Sequence, residues 1–117
     1  MRTIETTKTE DQFIAAYLEA IDFTECGDDE QPPHGADLDP DFERGSVLDC
    51  LAFFSRARCS LSDDHIEQAG RDFWLTRNDH GVGFWDRPEV YGKARAEMFT
   101  RMAKSFGEAY PIFDEYL

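Results

Sequence analysis

Residues 68–87 read Gln68-Ala69-Gly70-Arg71-Asp72-Phe73-Trp74-Leu75-Thr76-Arg77-Asn78-Asp79-His80-Gly81-Val82-Gly83-Phe84-Trp85-Asp86-Arg87. The fold turns on whether this stretch is extended or helical. From Asp72 onward, Phe73, Leu75 and Arg77 alternate with Asp72, Trp74 and Thr76, the two-residue period of a strand. Asn78-Asp79-His80-Gly81 has turn chemistry, and Val82-Gly83-Phe84-Trp85-Asp86 follows as a second aromatic-rich run. This pattern predicts a β-hairpin. The competing reading is one continuous helix from Ser62 to Arg77, because Ile66, Ala69, Phe73 and Arg77 also share a helical face. Gly70 weighs against it, since glycine inside a helix costs about 1 kcal/mol relative to alanine. On the hairpin reading Gly70 is the left-handed stop of a short helix capped by Ser60 or Ser62.

Working outward, Thr9-Glu10-Asp11-Gln12 reads as a capping box opening a helix to about Phe23. Phe13, Ala16, Tyr17, Ala20 and Ile21 form its apolar face. Asp39 followed by Pro40 predicts the cap and first residue of a second helix, reaching about Arg58. Its apolar stripe is Val47, Leu48, Leu51 and Phe54, with Cys50 and Phe53 on a neighbouring face. Beyond Arg87-Pro88, the residues Phe99, Met102, Ala103 and Phe106 mark a last helix ending at Gly107. Tyr110-Pro111-Ile112-Phe113 suits a short edge strand. The expected fold is α+β, with three to four helices packed on a small antiparallel hairpin or three-stranded sheet.

A chain of 117 residues with 41% apolar residues and ten Phe is expected to form one domain, 1–117, around one core. No apolar run is long enough to span a bilayer, and Met1-Arg2-Thr3-Ile4-Glu5 lacks the pattern of a signal peptide. The expected location is therefore the cytoplasm. Cys26, Cys50 and Cys59 are odd in number and unpaired in spacing, which predicts free thiols and no zinc site.

Twenty-five acids against twelve bases give a net charge of −13. Residues 1–43 carry thirteen acids and two bases, while residues 44–117 carry twelve acids and ten bases. The excess is thus N-terminal, in the first helix and in an acidic loop spanning Cys26 to Asp37. Such a charge disfavours direct binding of nucleic acid or an anionic membrane and favours a partner with a basic surface. Asp37, Asp39 and Asp41 alternate as calcium ligands do, but the glycine turn and distal glutamate of a calcium loop are missing. Capping by Asp39 is the simpler account, and neither a metal nor a cofactor is expected.

The 68–87 stretch resembles a short protein family common in bacteriophages and plasmids, whose members carry a core close to AGHDFWLTRNGHGAGFWDR. Asp49-Cys50 with Phe53 upstream, and Ala103 with Phe106-Gly107-Glu108 downstream, extend the resemblance to roughly residues 46–108. This chain departs at Arg71, where the family usually has His, and at Asp79, where it usually has Gly. No family-wide activity accompanies the motif. The resemblance implies an accessory protein of a mobile element acting inside a bacterial cell.

One constellation has catalytic residue types: Asp72, Arg77, His80 and Asp86. It lacks a second close histidine, an activated nucleophile and a phosphate loop, so no enzymatic activity is expected. His34 and His65 read as solvated residues. The leading expectation is an acidic inhibitor of a host nucleic-acid-binding protein, of the anti-restriction or anti-CRISPR type that imitates DNA. Its partner-binding residues would be Glu10, Asp11, Glu19, Asp22, Asp28, Asp29, Glu30, Asp37, Asp39, Asp41 and Glu43. A protein–protein adaptor using the aromatic hairpin is the alternative, with Trp74, Arg77, His80 and Trp85 as a secondary interface. A small enzyme or metal-binding protein centred on His80 ranks third.

Overall fold

The computed structural model describes residues 6–26, 39–79 and 81–110, and among these there is no strand. The helices are α1 (Lys8–Cys26), α2 (Pro40–Ala57), α3 (Ile66–Arg77), the single turn α4 (Pro88–Tyr91) and α5 (Lys93–Lys104). Short 3₁₀ turns at Arg58–Ser60, Asp63–His65 and Phe84–Asp86 join them. The α+β expectation is therefore overturned, and with it both the β-hairpin and the three-stranded sheet. Tyr110 is not in a strand, and residues 111–113 lie outside the described residues.

The reason lies in α3. Ile66, Ala69, Gly70, Asp72, Phe73, Trp74, Thr76 and Arg77 are all buried, so the helix is covered on nearly every side. An enclosed helix loses the one-sided apolar stripe that identifies a helix in a sequence. Its polar residues Asp72 and Thr76 then leave an accidental alternation with Phe73 and Leu75. Gly70 does not stop α3 but sits inside it, where α1 crosses closest. A Cβ at this position would lie 2.3 Å from the Phe13 carbonyl oxygen and 3.0 Å from the Ala16 Cβ. The missing side chain lets the two backbones approach. Asn78 and Asp79 do form a turn, with Asp79 at φ 53° and its N–H donating to the Thr76 carbonyl.

Helix α1 opens two residues earlier than the expected box. Thr7 and Glu10 are the reciprocal pair: the Thr7 N–H donates to Glu10 Oε1 at 2.8 Å, and the Glu10 N–H donates to Thr7 Oγ1 at 3.2 Å. The helix also runs on to Cys26, past the expected end at Phe23. Its expected apolar face is buried throughout. Asp39 caps α2 as expected, accepting from the Phe42 N–H at 3.1 Å, with Pro40 in the first turn. The buried face of α2 is Ser46, Cys50, Phe53, Phe54 and Ala57, whereas Leu48 is 52% exposed. The core stripe therefore runs through Cys50 and Phe53, not through Leu48.

Aromatic rings fill the centre. Phe53 of α2 lies 4.4 Å from Phe73 and 5.5 Å from Phe84, nearly parallel to both. Phe13 of α1 and Phe99 of α5 reach it from either side, at 5.8 and 6.1 Å. Such offset and tilted pairs add about 0.5–1.5 kcal/mol each beyond area burial. One cluster thus joins every helix, with α1 and α3 as its most extensive pair. Helix α5 ends at Lys104, short of the expected end at Gly107, which lies beyond it at φ 77° and donates to the Lys104 carbonyl.

Candidate functional site

The motif-bearing segment folds inward. Asp72 is fully buried, and each carboxylate oxygen has a partner. Oδ1 accepts from Arg87 Nε at 2.9 Å and Gln68 Nε2 at 3.2 Å, and Oδ2 accepts from the Tyr91 hydroxyl at 2.7 Å. Partial burial works against the Arg87 charge, but the hydrogen bond and charge of Asp72 outweigh it and hold the guanidinium protonated. Burial, then the Asp72 charge, push the Tyr91 hydroxyl far above the usual phenol range. The Asp72–Arg87 pair joins α3 to the residue just before α4.

Arg77 anchors a second network on the same helix. It donates to the Tyr17 hydroxyl at 3.0 Å, Asp49 Oδ2 at 2.9 Å, and the carbonyls of Gly107 and Phe106 at 2.8 and 3.1 Å. Its guanidinium also lies over the rings of Phe73 and Phe106. One side chain therefore ties α1, α2, α3 and the end of α5 together. Burial pushes Tyr17 up strongly, with Arg77 partly opposing it, and burial also raises the Cys50 thiol. Thr76 accepts from the Phe84 N–H at 3.0 Å, and a Cβ on Gly83 would lie 2.3 Å from the same oxygen. Trp74 is fully buried, its indole N–H donating to Thr24 at 2.7 Å.

These contacts do not assemble the constellation of Asp72, Arg77, His80 and Asp86. Asp72 and Arg77 belong to separate enclosed networks, Asp86 is exposed, and His80 lies outside the described residues. Trp74 and Arg77 are likewise enclosed, so neither is open to a partner. Trp85 is 38% exposed, with the Lys104 ammonium 5.8 Å over its ring, and Val82 beside it is 37% exposed. Among the described residues no group of three or more metal-ligating side chains comes together. None of the described helices is long and apolar enough to cross a membrane.

The acidic residues divide by what they already do. Glu10 closes the α1 cap, and the Thr6 hydroxyl donates to Asp11. Asp39 caps α2, and Asp41 and Glu43 stand in its first turn, where negative charge complements the helix dipole. Glu19 faces Arg71 at 3.8 Å. Asp28, Asp29, Glu30 and Asp37 lie outside the described residues. Phe13 meets Phe53 and Phe54, whereas Tyr17 shares Arg77 with Asp49, so α1 and α2 run in opposite directions. Asp22 stands in the last two turns of α1, and Asp41 and Glu43 stand in the first turn of α2; all three are exposed. In contrast, α5 carries Lys93, Arg95, Arg101 and Lys104 against Glu97 alone.

Sequence reasoning missed one feature. A cavity of about 670 Å³ opens beside α1 and α3, lined by Arg71 and Arg87 among others. Its lining residues come from three segments far apart in the sequence, so no local window shows it. Comparisons with protein-family models, curated proteins and solved structures find no match, so the site is read from its own geometry.

Proposed function

We propose that this protein binds a host protein with a basic, nucleic-acid-binding surface and blocks it, presenting carboxylates where the partner expects phosphates. The carrying observation is the charge distribution: residues 1–43 hold thirteen acids against two bases, and Asp22, Asp41 and Glu43 among them are exposed. Asp28, Asp29, Glu30 and Asp37 belong to the same acidic excess and lie outside the described residues. Glu10, Asp11 and Asp39 leave the partner-facing set, because the helix caps account for them. Duplex DNA presents about one negative charge per 1.7 Å of axis, and a matching basic groove accepts a comparable array. The resemblance to a phage and plasmid family makes restriction and CRISPR effector complexes the partner class to examine first, inside a bacterial cytoplasm. No catalytic step is part of this reading.

A second reading rests on Trp85 and Val82, exposed on the 81–87 segment and suited to anchor a protein interface. The two separate cleanly. Affinity purification from a bacterial lysate, followed by mass spectrometry, should recover a nucleic-acid-binding protein whose DNA binding falls as this chain is added. Recovery of a partner whose DNA binding is unaffected, and whose capture depends on Trp85, favours the second reading.

A further inference from the structure

The cavity of about 670 Å³ has a chemistry of its own, independent of the N-terminal acidic excess. Glu19 and Ala20 of α1 form one wall, Arg71 and Leu75 of α3 a second, and Val82 and Arg87 of the returning segment a third. Ala20, Leu75 and Val82 make an apolar lining, and the volume falls in the range usual for small-ligand sites.

The two guanidiniums are held differently. Arg87 is aimed by the buried Asp72 through Nε, and among the described residues neither of its Nη groups has an acceptor. Arg71 stands 3.8 Å from Glu19 and 3.7 Å from Glu67, both beyond hydrogen-bond reach. Among the described residues its five donors make no hydrogen bond. Loose, partly exposed pairs of this kind contribute little, so a ligand can replace them at little loss.

Charge selects the ligand. Arg71 and Arg87 face Glu19, Glu67 and Asp72, so the near charges already sum to minus one within a chain of −13. A phosphate dianion would add to that excess, and a simple cation would meet two guanidiniums. A molecule carrying both signs satisfies each wall. Its carboxylate can lie across the Nη donors of Arg87 and Arg71, its ammonium against Glu19, and its apolar side chain along Ala20, Leu75 and Val82. We infer that this cavity binds a small apolar zwitterion of the amino-acid or dipeptide class.

Calorimetric titration of the full chain tests this with leucine, leucyl-leucine, N-acetyl-leucine, isoamylamine and inorganic phosphate. A zwitterion should bind, and removing either charge should weaken it at least about tenfold, the loss of one charge-assisted contact. Arg71→Gln and Glu19→Gln should each weaken the zwitterion by a similar factor, while far-UV circular dichroism stays unchanged because Glu19 is largely exposed and Arg71 is half-buried without a hydrogen bond among the described residues. Leu75→Trp should block the cavity. Absence of binding by both zwitterions at roughly 10 mM overturns the inference. So does phosphate or N-acetyl-leucine binding as well as leucine, which would mark a plain anion site. Equal binding by isoamylamine overturns it from the other side.

Discussion

Two alanine substitutions, Gly70→Ala and Gly45→Ala, make the same chemical change in two helix interiors and should move stability in opposite directions. In an open helix, glycine to alanine gains up to about 1 kcal/mol. At Gly45 in α2 a new Cβ meets nothing within 4 Å, so that gain should appear in full. At Gly70 the Cβ falls 2.3 Å from the Phe13 carbonyl oxygen, about 1 Å short of the 3.4 Å at which ordinary contact begins. The obstructing atom is backbone, and no rotamer change relieves it. The helices must separate across the most extensive pair in the fold. Overpacking costs about 1–3 kcal/mol, and such a rigid obstacle belongs at the upper end. Gly70→Ala should therefore lose about 1–2 kcal/mol net. With roughly 4 °C per kcal/mol for a domain of this size, its Tm should fall by about 4–8 °C. That of Gly45→Ala should rise by about 2–4 °C. Thermal and urea unfolding by circular dichroism reads both. If Gly70→Ala stabilises as much as Gly45→Ala, the close crossing of α1 and α3 is wrong.

Two further outcomes test the buried networks. Arg77→Met should cost about 3–5 kcal/mol, because the Asp49 carboxylate and two carbonyls lose their donor at once. Asp49→Asn should cost less, about 1–3 kcal/mol, since it takes the counter-charge from a buried guanidinium that keeps its Tyr17 and carbonyl acceptors; equal losses from the two in urea titrations contradict the anchoring role. At alkaline pH the folded chain holds the protons of Cys50, Tyr17 and Tyr91 more tightly than the unfolded chain, whose groups ionise near 9.0 and 10.0. The unfolded state then carries fewer protons, so stability is full below about pH 9 and falls as pH rises past 9 and 10. Tyr91→Phe should flatten that fall, and a urea midpoint constant from about pH 8 to about pH 11 refutes the assignment.

How far a sequence reveals such a fold depends on how many sides of each helix are covered. Helix α1 shows one face to the core, and Phe13, Ala16, Tyr17, Ala20 and Ile21 declare it at helical spacing. Asp39-Pro40 likewise marks the start of α2 through local chemistry alone. Helix α3 is enclosed, and its polar residues are buried because distant partners satisfy them. Arg87 and Tyr91 lie 15 and 19 residues from Asp72, and Asp49 and Tyr17 lie 28 and 60 from Arg77. No window of local sequence contains those pairs, so Asp72 and Thr76 read as one face of a strand, and Phe73, Leu75 and Arg77 as the other. Gly70 misleads for the same reason, since its purpose is set by Phe13 on another helix.

The site shows a similar division. Charge counts alone place the excess before Arg44. In the folded chain Glu10, Asp11 and Asp39 serve the helix starts. The fold also gives the 68–87 segment a structural task, since Asp72, Trp74, Thr76, Arg77 and Phe84 are enclosed there. Trp85 and Val82 are the large apolar residues of that segment left exposed.

The most direct measurement is the salt dependence of affinity for the captured partner, with the native chain and with Asp28→Asn, Asp29→Asn and Glu30→Gln combined. If the acidic N-terminal part imitates nucleic acid, affinity should fall steeply with salt for the native chain. The triple variant should bind at least about tenfold more weakly, with a shallower salt slope and an unchanged Tm. Unchanged affinity in the triple variant, with binding lost in Trp85→Ala and little response to salt, would contradict it.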